Sequence, residues 1–150
     1  MRIRFELNGQ AAIWEVGAGE TLLEALRRHE ITSVKYGCDT ASCGTCTVLL
    51  DGKPVPSCAV PAGRVDGHAV LTVEGVPEEA RRLGEAMARE GADQCGFCGP
   101  GLVMSVVAMR RELEDPDDEA INVYLAGNLC RCSGYTSQTR AIRSYLEGTS

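Results

Sequence analysis

Residues 36–48 read Tyr-Gly-Cys-Asp-Thr-Ala-Ser-Cys-Gly-Thr-Cys-Thr-Val, a loop that carries three of the chain's eight cysteines. It places Cys38, Cys43 and Cys46 at C-x4-C-x2-C spacing, and Cys58 follows twelve residues later. This is the ligand spacing of plant-type [2Fe–2S] sites. In such a loop the backbone N–H groups are free to donate hydrogen bonds to the sulfurs. We therefore predict that these four cysteines hold one iron–sulfur cluster.

The other four cysteines form a second group in the C-terminal half. Cys95 and Cys98 are separated by two residues, and Cys130 and Cys132 by one. Taken alone, this group also fits a four-cysteine zinc site. The C-x4-C-x2-C loop is less typical of zinc, so the pairing of the two groups favours iron in both. Rieske ligation needs two histidines, and the two present lie outside the cysteine motifs, so we expect both to be ordinary surface residues.

Composition narrows the class of protein. A chain of 150 residues suits one domain or two small ones. A net charge of −6 argues against nucleic acid or an anionic membrane as a partner. The sequence has no apolar run of about 18 residues and no secretion signal at its start, so we expect a cytoplasmic protein without a membrane span. Reduced thiols in that compartment favour metal ligation over disulfides.

The first half has the pattern of a small mixed sheet with one helix on its face. Residues 2–7 alternate apolar and polar, and Asn8-Gly9 is the signal of a type I′ hairpin. Thr21 and Glu24 have the spacing of a capping box at the start of a helix. Two further strand signals lie at residues 47–50 and 69–73.

The second half reads as four helices without a strand. Predicted starts are Pro77, Pro100, about Glu119, and a cap at Thr136 or Ser137. The first of these helices has a predicted inner stripe of Ala80, Leu83, Gly84 and Met87. The fold class is therefore α+β, and we predict two domains, residues 1–75 and 76–150.

Three segments carry a resemblance to a known family: residues 37–48, 94–101 and 127–135. They resemble the signatures of the iron–sulfur subunit of the molybdenum hydroxylases, the xanthine oxidase family. Its separate small chains serve carbon monoxide dehydrogenases, aldehyde and N-heterocycle oxidoreductases, and hydroxybenzoyl-CoA reductases. The resemblance covers nearly the whole chain. Departures are Gly99 and Ser133, where threonine is common in the family, and Ala41-Ser42, where many members have glycines.

The resemblance implies a β-grasp ferredoxin domain followed by an all-α four-helix domain, each holding a [2Fe–2S] cluster. It implies that the C-terminal group lies nearest the molybdopterin, with Gln94 hydrogen-bonding the pterin and the Cys132 sulfur approaching the pterin amine. The other cluster would be the more exposed one, toward a flavin subunit. The implied ligands are Cys38, Cys43, Cys46 and Cys58 for the first cluster, and Cys95, Cys98, Cys130 and Cys132 for the second.

The expected function is electron transfer, since the sequence offers no general base, nucleophile or substrate pocket and no catalytic residue. Electrons would pass from a molybdopterin centre through two [2Fe–2S] clusters to an FAD subunit or another acceptor. The implied partners are a large molybdopterin-binding subunit and a medium FAD-binding subunit, in a heterotrimer that dimerises to a heterohexamer. Two alternatives are a free-standing two-cluster ferredoxin and a zinc-bound structural module. A helical half is unnecessary in a diffusing ferredoxin, which favours the permanent complex.

Overall fold

The computed structural model describes residues 1–148, and the first half of the chain forms a five-stranded sheet. The strands are β1 (Arg2–Leu7), β2 (Gln10–Glu15), β3 (Thr47–Leu50), β4 (Lys53–Pro56) and β5 (Ala69–Leu71). Their order across the sheet is β2-β1-β5-β3-β4. Strands β1 and β5 run parallel and the other neighbours antiparallel, so the sheet is mixed, as predicted.

The predicted hairpin and capping box are both confirmed. Asn8 and Gly9 have φ values of 52° and 81°, the two positive angles that a type I′ turn requires. Helix α1 (Leu22–Arg28) begins after Thr21, whose side-chain oxygen accepts from the Glu24 N–H while the Glu24 carboxylate accepts from the Thr21 N–H. The inner face of α1 packs on the sheet around a core that includes Ile3, Phe5, Leu22, Leu23, Leu26, Val48 and Val70.

Two details of the sheet differ from the prediction. Strand β4 was not expected, because Pro54 and Pro56 lie within it. It is an edge strand, where the missing N–H of proline can be tolerated. The last strand ends at Leu71, earlier than residue 73, because Val73 begins a short 3-10 turn.

The second half contains the four predicted helices and, within the described residues, no strand. They are α2 (Pro77–Arg89), α3 (Gly99–Glu112), α4 (Asp118–Tyr124) and α5 (Thr136–Glu147). Residues 149 and 150 of the predicted second domain lie outside the described part of the chain.

Three local predictions in the helices were wrong. Gly84 is exposed, and Ala86 joins Leu83 and Met87 in the buried stripe of α2. Helix α4 was predicted from about Glu119 to Ala126; it begins at Asp118, capped by the Asp117 side chain, but ends two residues earlier than predicted, at Tyr124. Helix α5 has no side-chain cap, since its N-cap residue is Tyr135 in a left-handed conformation with φ 72°.

Helix α3 joins the two halves. It is buried on most of its circumference, because one face packs in the helical core and another lies on strand β3. A small apolar cluster of Leu49, Val76, Met104, Val107 and Ala108 fills the contact. This packing fixes the position of the second cysteine group relative to the sheet.

Candidate iron–sulfur centres

The first cysteine group lies where the sheet meets a long irregular loop. Residues 29–46, between α1 and β3, contain no helix or strand. Cys46 directly precedes β3, and Cys58 lies in a 3-10 turn after β4. The two sulfurs are 3.4 Å apart, and Ser57 fixes the approach by donating its hydroxyl to the Cys46 carbonyl at 2.7 Å.

The loop surrounds the Cys38 sulfur with hydrogen-bond donors. The backbone N–H groups of Cys43 and Thr40, together with the Cys43 side chain and the N–H of Ser42, lower the pKa of Cys38 to about 6. Backbone donors stabilise the thiolate because they interact with its negative charge. The Thr45 hydroxyl lies 3.2 Å from the Cys43 sulfur. The loop therefore favours the thiolate form of Cys38.

The second cysteine group is assembled from two junctions between helices. Cys95 and Cys98 lie between α2 and α3, with Cys98 at the N-cap position of α3. Cys130 and Cys132 lie between α4 and α5. The Gln94 side chain connects the junctions by donating from Nε2 to the Cys132 carbonyl at 3.3 Å.

Polar side chains also reach the sulfurs of this second group. The Ser133 hydroxyl and N–H lie 3.3 and 3.4 Å from the Cys130 sulfur. Burial by itself would raise the pKa of Cys130, but these two donors, together with the Cys132 N–H and the Cys98 side chain, bring it below its usual value. Gln138 of α5 directs its amide nitrogen toward the Cys98 sulfur at 3.9 Å.

The eight thiols lie in four pairs. In the first group the side-chain contacts join Cys38 with Cys43 and Cys46 with Cys58; in the second they join Cys98 with Cys130 and Cys95 with Cys132. Within residues 1–148, no set of three or more His, Cys, Asp or Glu side chains is arranged to hold a single metal ion. A [2Fe–2S] cluster takes four cysteines, two on each iron. The paired thiols and their N–H donors fit that group.

Burial, and after it the neighbouring sulfurs, disfavour the ionised form of two of the thiols. Burial raises the pKa of Cys58 to about 12, with further increases from Cys46, Cys38 and Cys43. Burial likewise raises the pKa of Cys98 to about 11, helped by Cys130 and Cys95. Four thiolates brought this close need a cationic core between them, because like charges at such distances cannot all ionise unaided.

The two groups touch through their backbones. The Leu129 N–H donates to the Cys43 carbonyl at 2.8 Å. Asn128 adds a side-chain donor to the Gly44 carbonyl at 3.3 Å. A Cβ on Gly44 would lie 2.1 Å from the Gly127 carbonyl, and one on Gly101 would lie 2.4 Å from the Gly44 carbonyl. Only glycine permits so close an approach of these chains.

In the chain on its own the second group contains the most exposed cysteines, and the expectation that the first cluster is the more exposed one in the complex stays a prediction. Cys95 and Cys132 are exposed, whereas Cys46 is buried and the other cysteines are partly buried. The reason is local, since both exposed cysteines lie on junctions at the rim of the helical half. Gln94 is exposed beside them.

Sequence reasoning placed the eight cysteines in two groups of four, which stays a prediction, and it missed three polar residues around them. Thr45 and Asn128 lie inside the cysteine motifs, so their closeness to a cysteine was the signal available. Nothing in the sequence marked Gln138 as a residue of the site, because a glutamine in the first turn of a helix is usually solvated. His29, expected to be an ordinary surface residue, is partly exposed, and its ring stacks on Trp14 at 3.9 Å between centroids.

No helix among residues 1–148 combines the length and the apolar character needed to cross a membrane.

Two family models match the chain in sequence. Residues 5–72 match the 2Fe-2S iron-sulfur cluster binding domain, and residues 72–143 match the [2Fe-2S] binding domain. The chain therefore contains two [2Fe–2S]-binding domains.

Relatives of known identity match along almost the whole chain. The nicotinate dehydrogenase small FeS subunit of Eubacterium barkeri is 40% identical over 148 residues, which cover 97% of this chain and 94% of the relative. The xanthine dehydrogenase iron-sulfur-binding subunit of Escherichia coli O157:H7 is 39% identical over 140 residues, covering 89% of this chain and 86% of the relative.

Solved structures agree. The quinoline 2-oxidoreductase of Pseudomonas putida 86 superposes with a TM-score of 0.91 at 34% identity, covering 99% of this chain and 94% of that chain. The aldehyde oxidoreductase of Desulfovibrio desulfuricans also gives 0.91 at 34% identity, over 99% of this chain and 17% of that longer chain. The chain belongs to the [2Fe–2S] electron-transfer subunits of the molybdenum hydroxylases, a family of oxidoreductases.

Proposed function

We propose that this chain relays electrons from a molybdopterin centre in a large partner subunit, through two [2Fe–2S] clusters, to FAD in a medium partner subunit. The observation that carries the proposal is the hydrogen bond from the Leu129 N–H to the Cys43 carbonyl. Cys43 belongs to the first cysteine group, and Leu129 is covalently joined to Cys130 of the second. The two groups are thereby connected through covalent bonds and one short hydrogen bond.

The proposed ligands of the first cluster are Cys38, Cys43, Cys46 and Cys58, and those of the second are Cys95, Cys98, Cys130 and Cys132. The pairing of the sulfurs within each group supports this assignment. When bound, each cluster takes up and passes on one electron at a time. The chain's own contribution is to hold the thiolates, supply N–H donors to them and keep the two groups in contact.

The second group is proposed to face the molybdopterin, with Gln94 and Cys132 as the contacts. Support comes from the exposure of Gln94, Cys95 and Cys132 in the isolated chain. An exposed cluster ligand would be covered when a partner subunit binds there. The hydrogen bond from Gln94 to the Cys132 carbonyl holds both proposed contacts on one patch.

The surface around the cysteines supports a lasting partner rather than a transient one. Four large apolar side chains next to the cysteine motifs are 43% to 62% exposed: Tyr36, Phe97, Leu129 and Tyr135. Exposed apolar groups concentrated in one region mark protein interaction sites. We propose the heterotrimer of large, medium and small subunits, dimerised to a heterohexamer, and the division of this chain at residue 75. A cytoplasmic location is proposed as well, because reduced thiols are needed for ligation.

Low-temperature EPR on the dithionite-reduced protein, purified with whatever subunits remain bound, tests the function. Two distinct rhombic S = 1/2 signals and about four irons per chain are expected. Large and medium subunits should co-purify at fixed stoichiometry. A silent spectrum with bound zinc would overturn the function, and two signals from a chain that never retains a partner would favour the free-standing ferredoxin.

A further inference from the structure

Gln138 is a buried amide placed beside a proposed cluster ligand. It lies in the first turn of α5 and is 4% exposed. Its Nε2 atom lies 3.9 Å from the Cys98 sulfur. A thiolate sulfur can accept a hydrogen bond but cannot donate one, so the N–H side of the amide is the side suited to this position. Burying a glutamine is unfavourable unless its polar atoms have partners.

The sulfurs of the second group are unequally supplied with donors. Ser133 offers Cys130 both a hydroxyl and an N–H. For Cys98, the side-chain donor found among residues 1–148 is the Gln138 amide, beside the backbone N–H of Cys98 itself. Loss of that amide would therefore change the hydrogen bonding of one sulfur and leave the donors of Cys130 in place.

One side of Gln138 faces a cavity with an uncharged lining. Gln138 lines this cavity of about 440 Å³ together with residues from α4, α5 and the junction between them, among them Asn128, Leu129 and Tyr135. None of the lining residues is Asp, Glu, Lys, Arg or His. Because Gln138 is 4% exposed, the dipole of its amide has a larger effect on the neighbouring Cys98 sulfur than it would have in water.

We propose that Gln138 raises the reduction potential of the second cluster by donating an amide N–H hydrogen bond to the Cys98 sulfur. The inference rests on the function proposed above. Reduction adds one electron and no proton, so negative charge on the ligand sulfurs increases. A donor at the sulfur stabilises the reduced state more than the oxidised one. Gln138 is in this sense a positioning residue that makes the second cluster a better acceptor for electrons.

An EPR-monitored redox titration of the complete complex tests the inference with Gln138→Met, which keeps the length of the side chain and removes the donor. At a fixed ambient potential, the ratio of reduced to oxidised second cluster should fall about threefold to tenfold. A tenfold change corresponds to 59 mV for a one-electron couple. The midpoint of the first cluster should not move.

Two further variants distinguish a direct effect on the reduction potential of the second cluster from an effect on packing. Gln138→Glu keeps the shape of the side chain and, when ionised, offers acceptors only, so it should lower the midpoint at least as far. Thr139→Val alters the neighbouring buried residue, whose hydroxyl contacts Asn122 and the Tyr135 carbonyl but no cysteine. It should leave both midpoints unchanged.

A direct measurement on the unaltered protein accompanies the titration. Pulsed EPR on protein labelled with amide-15N glutamine should show a weak nitrogen coupling to the second cluster that is lost in Gln138→Met, whereas any coupling that persists in that variant belongs to another glutamine such as Gln94. An assembled second cluster with an unchanged midpoint in Gln138→Met, or an equal shift in Thr139→Val, overturns the inference and leaves the function standing. A wild-type complex with a single paramagnetic iron–sulfur centre overturns both.

Discussion

The two cysteine groups are held by different kinds of structure. Three cysteines of the first lie within nine consecutive residues of one loop, and backbone N–H groups of the same loop surround Cys38. The second joins Cys98 to Cys130, which come from junctions 32 residues apart and meet because α2, α3, α4 and α5 pack together. The first site is thus encoded locally, and the second depends on the tertiary structure of a whole helical half.

Removal of both clusters should have the largest effect on the structure. It should show that the first cysteine group depends on its cluster for its conformation more than the second does. Residues 29–46 have no helix or strand to hold them, so anaerobic chelation of the iron should unfold this loop, since ligand binding and folding are coupled. Cysteines at the helix junctions should loosen less, because the helical core persists. Hydrogen exchange followed by mass spectrometry would show the difference. Equal protection of the loop from hydrogen exchange before and after chelation would contradict the idea that the cluster stabilises its folded conformation.

Removal of one cluster should have the next largest effect. Cys98→Ser should abolish the second EPR signal, lower the iron content from about four to about two per chain, and stop substrate-driven reduction of the flavin. The first cluster should still assemble, because its ligands and donors are local. Cys46→Ser is the matched control and should leave only the second signal. Electron flow that survives Cys98→Ser would show that the proposed relay order is wrong.

Substitutions at two helical glycines test how tightly the two cysteine groups pack against each other. A Cβ on Gly84 in α2 would have nothing within 4 Å, whereas a Cβ on Gly101 in α3 would meet the Gly44 carbonyl at 2.4 Å. Gly84→Ala should stabilise the protein by about 0.5–1 kcal/mol through helix propensity. Gly101→Ala should destabilise it by about 1–3 kcal/mol despite the same propensity gain, because backbone must shift.

Denaturant unfolding of both glycine variants checks this expectation. Two stabilising substitutions would mean that the contact between α3 and the cysteine loop yields easily. The difference between the changes in the free energy of unfolding of the two variants, rather than either change alone, measures how tightly α3 packs against the cysteine loop.

The same division explains which features the sequence could predict. Local signals were sufficient for the hairpin at Asn8-Gly9 and the capping box at Thr21, because each depends on residues close in sequence. The grouping of the eight cysteines rests on their spacing and stays a prediction. Burial of Gln138 and the contact between Leu129 and Cys43 were out of reach, since they arise from the packing of α5 and α3 against distant segments. Strand β4 was missed because its prolines are acceptable only at the edge of a sheet.

The smallest expected effect is on the rate of unfolding at low pH, and it should again distinguish the sheet half from the helical half. The Ala69 N–H and then His68 hold the pKa of Asp51 below its usual value, and these contacts join the end of β3 to residues 17 or 18 positions away. Arg81 holds the pKa of Glu78 down as well, but within a single helical turn. A contact between distant segments is absent from the unfolded chain, whereas a pair within one turn can persist in residual helix.

A carboxylate whose pKa is depressed by folding stabilises the folded state above its unfolded pKa, about 3.9 for aspartate, and the stabilisation is lost as pH falls through the folded value. Unfolding should therefore accelerate below about pH 4 partly through Asp51. Stopped-flow acid jumps, followed by fluorescence of Trp14 in the sheet half, would compare the rates at pH 6 and pH 3.5. Asp51→Asn should reduce the acceleration more than Glu78→Gln, because the Asp51 contacts exist only when the sheet is assembled. An equal reduction in the two variants would place the acid sensitivity in local pairs and not in the sheet.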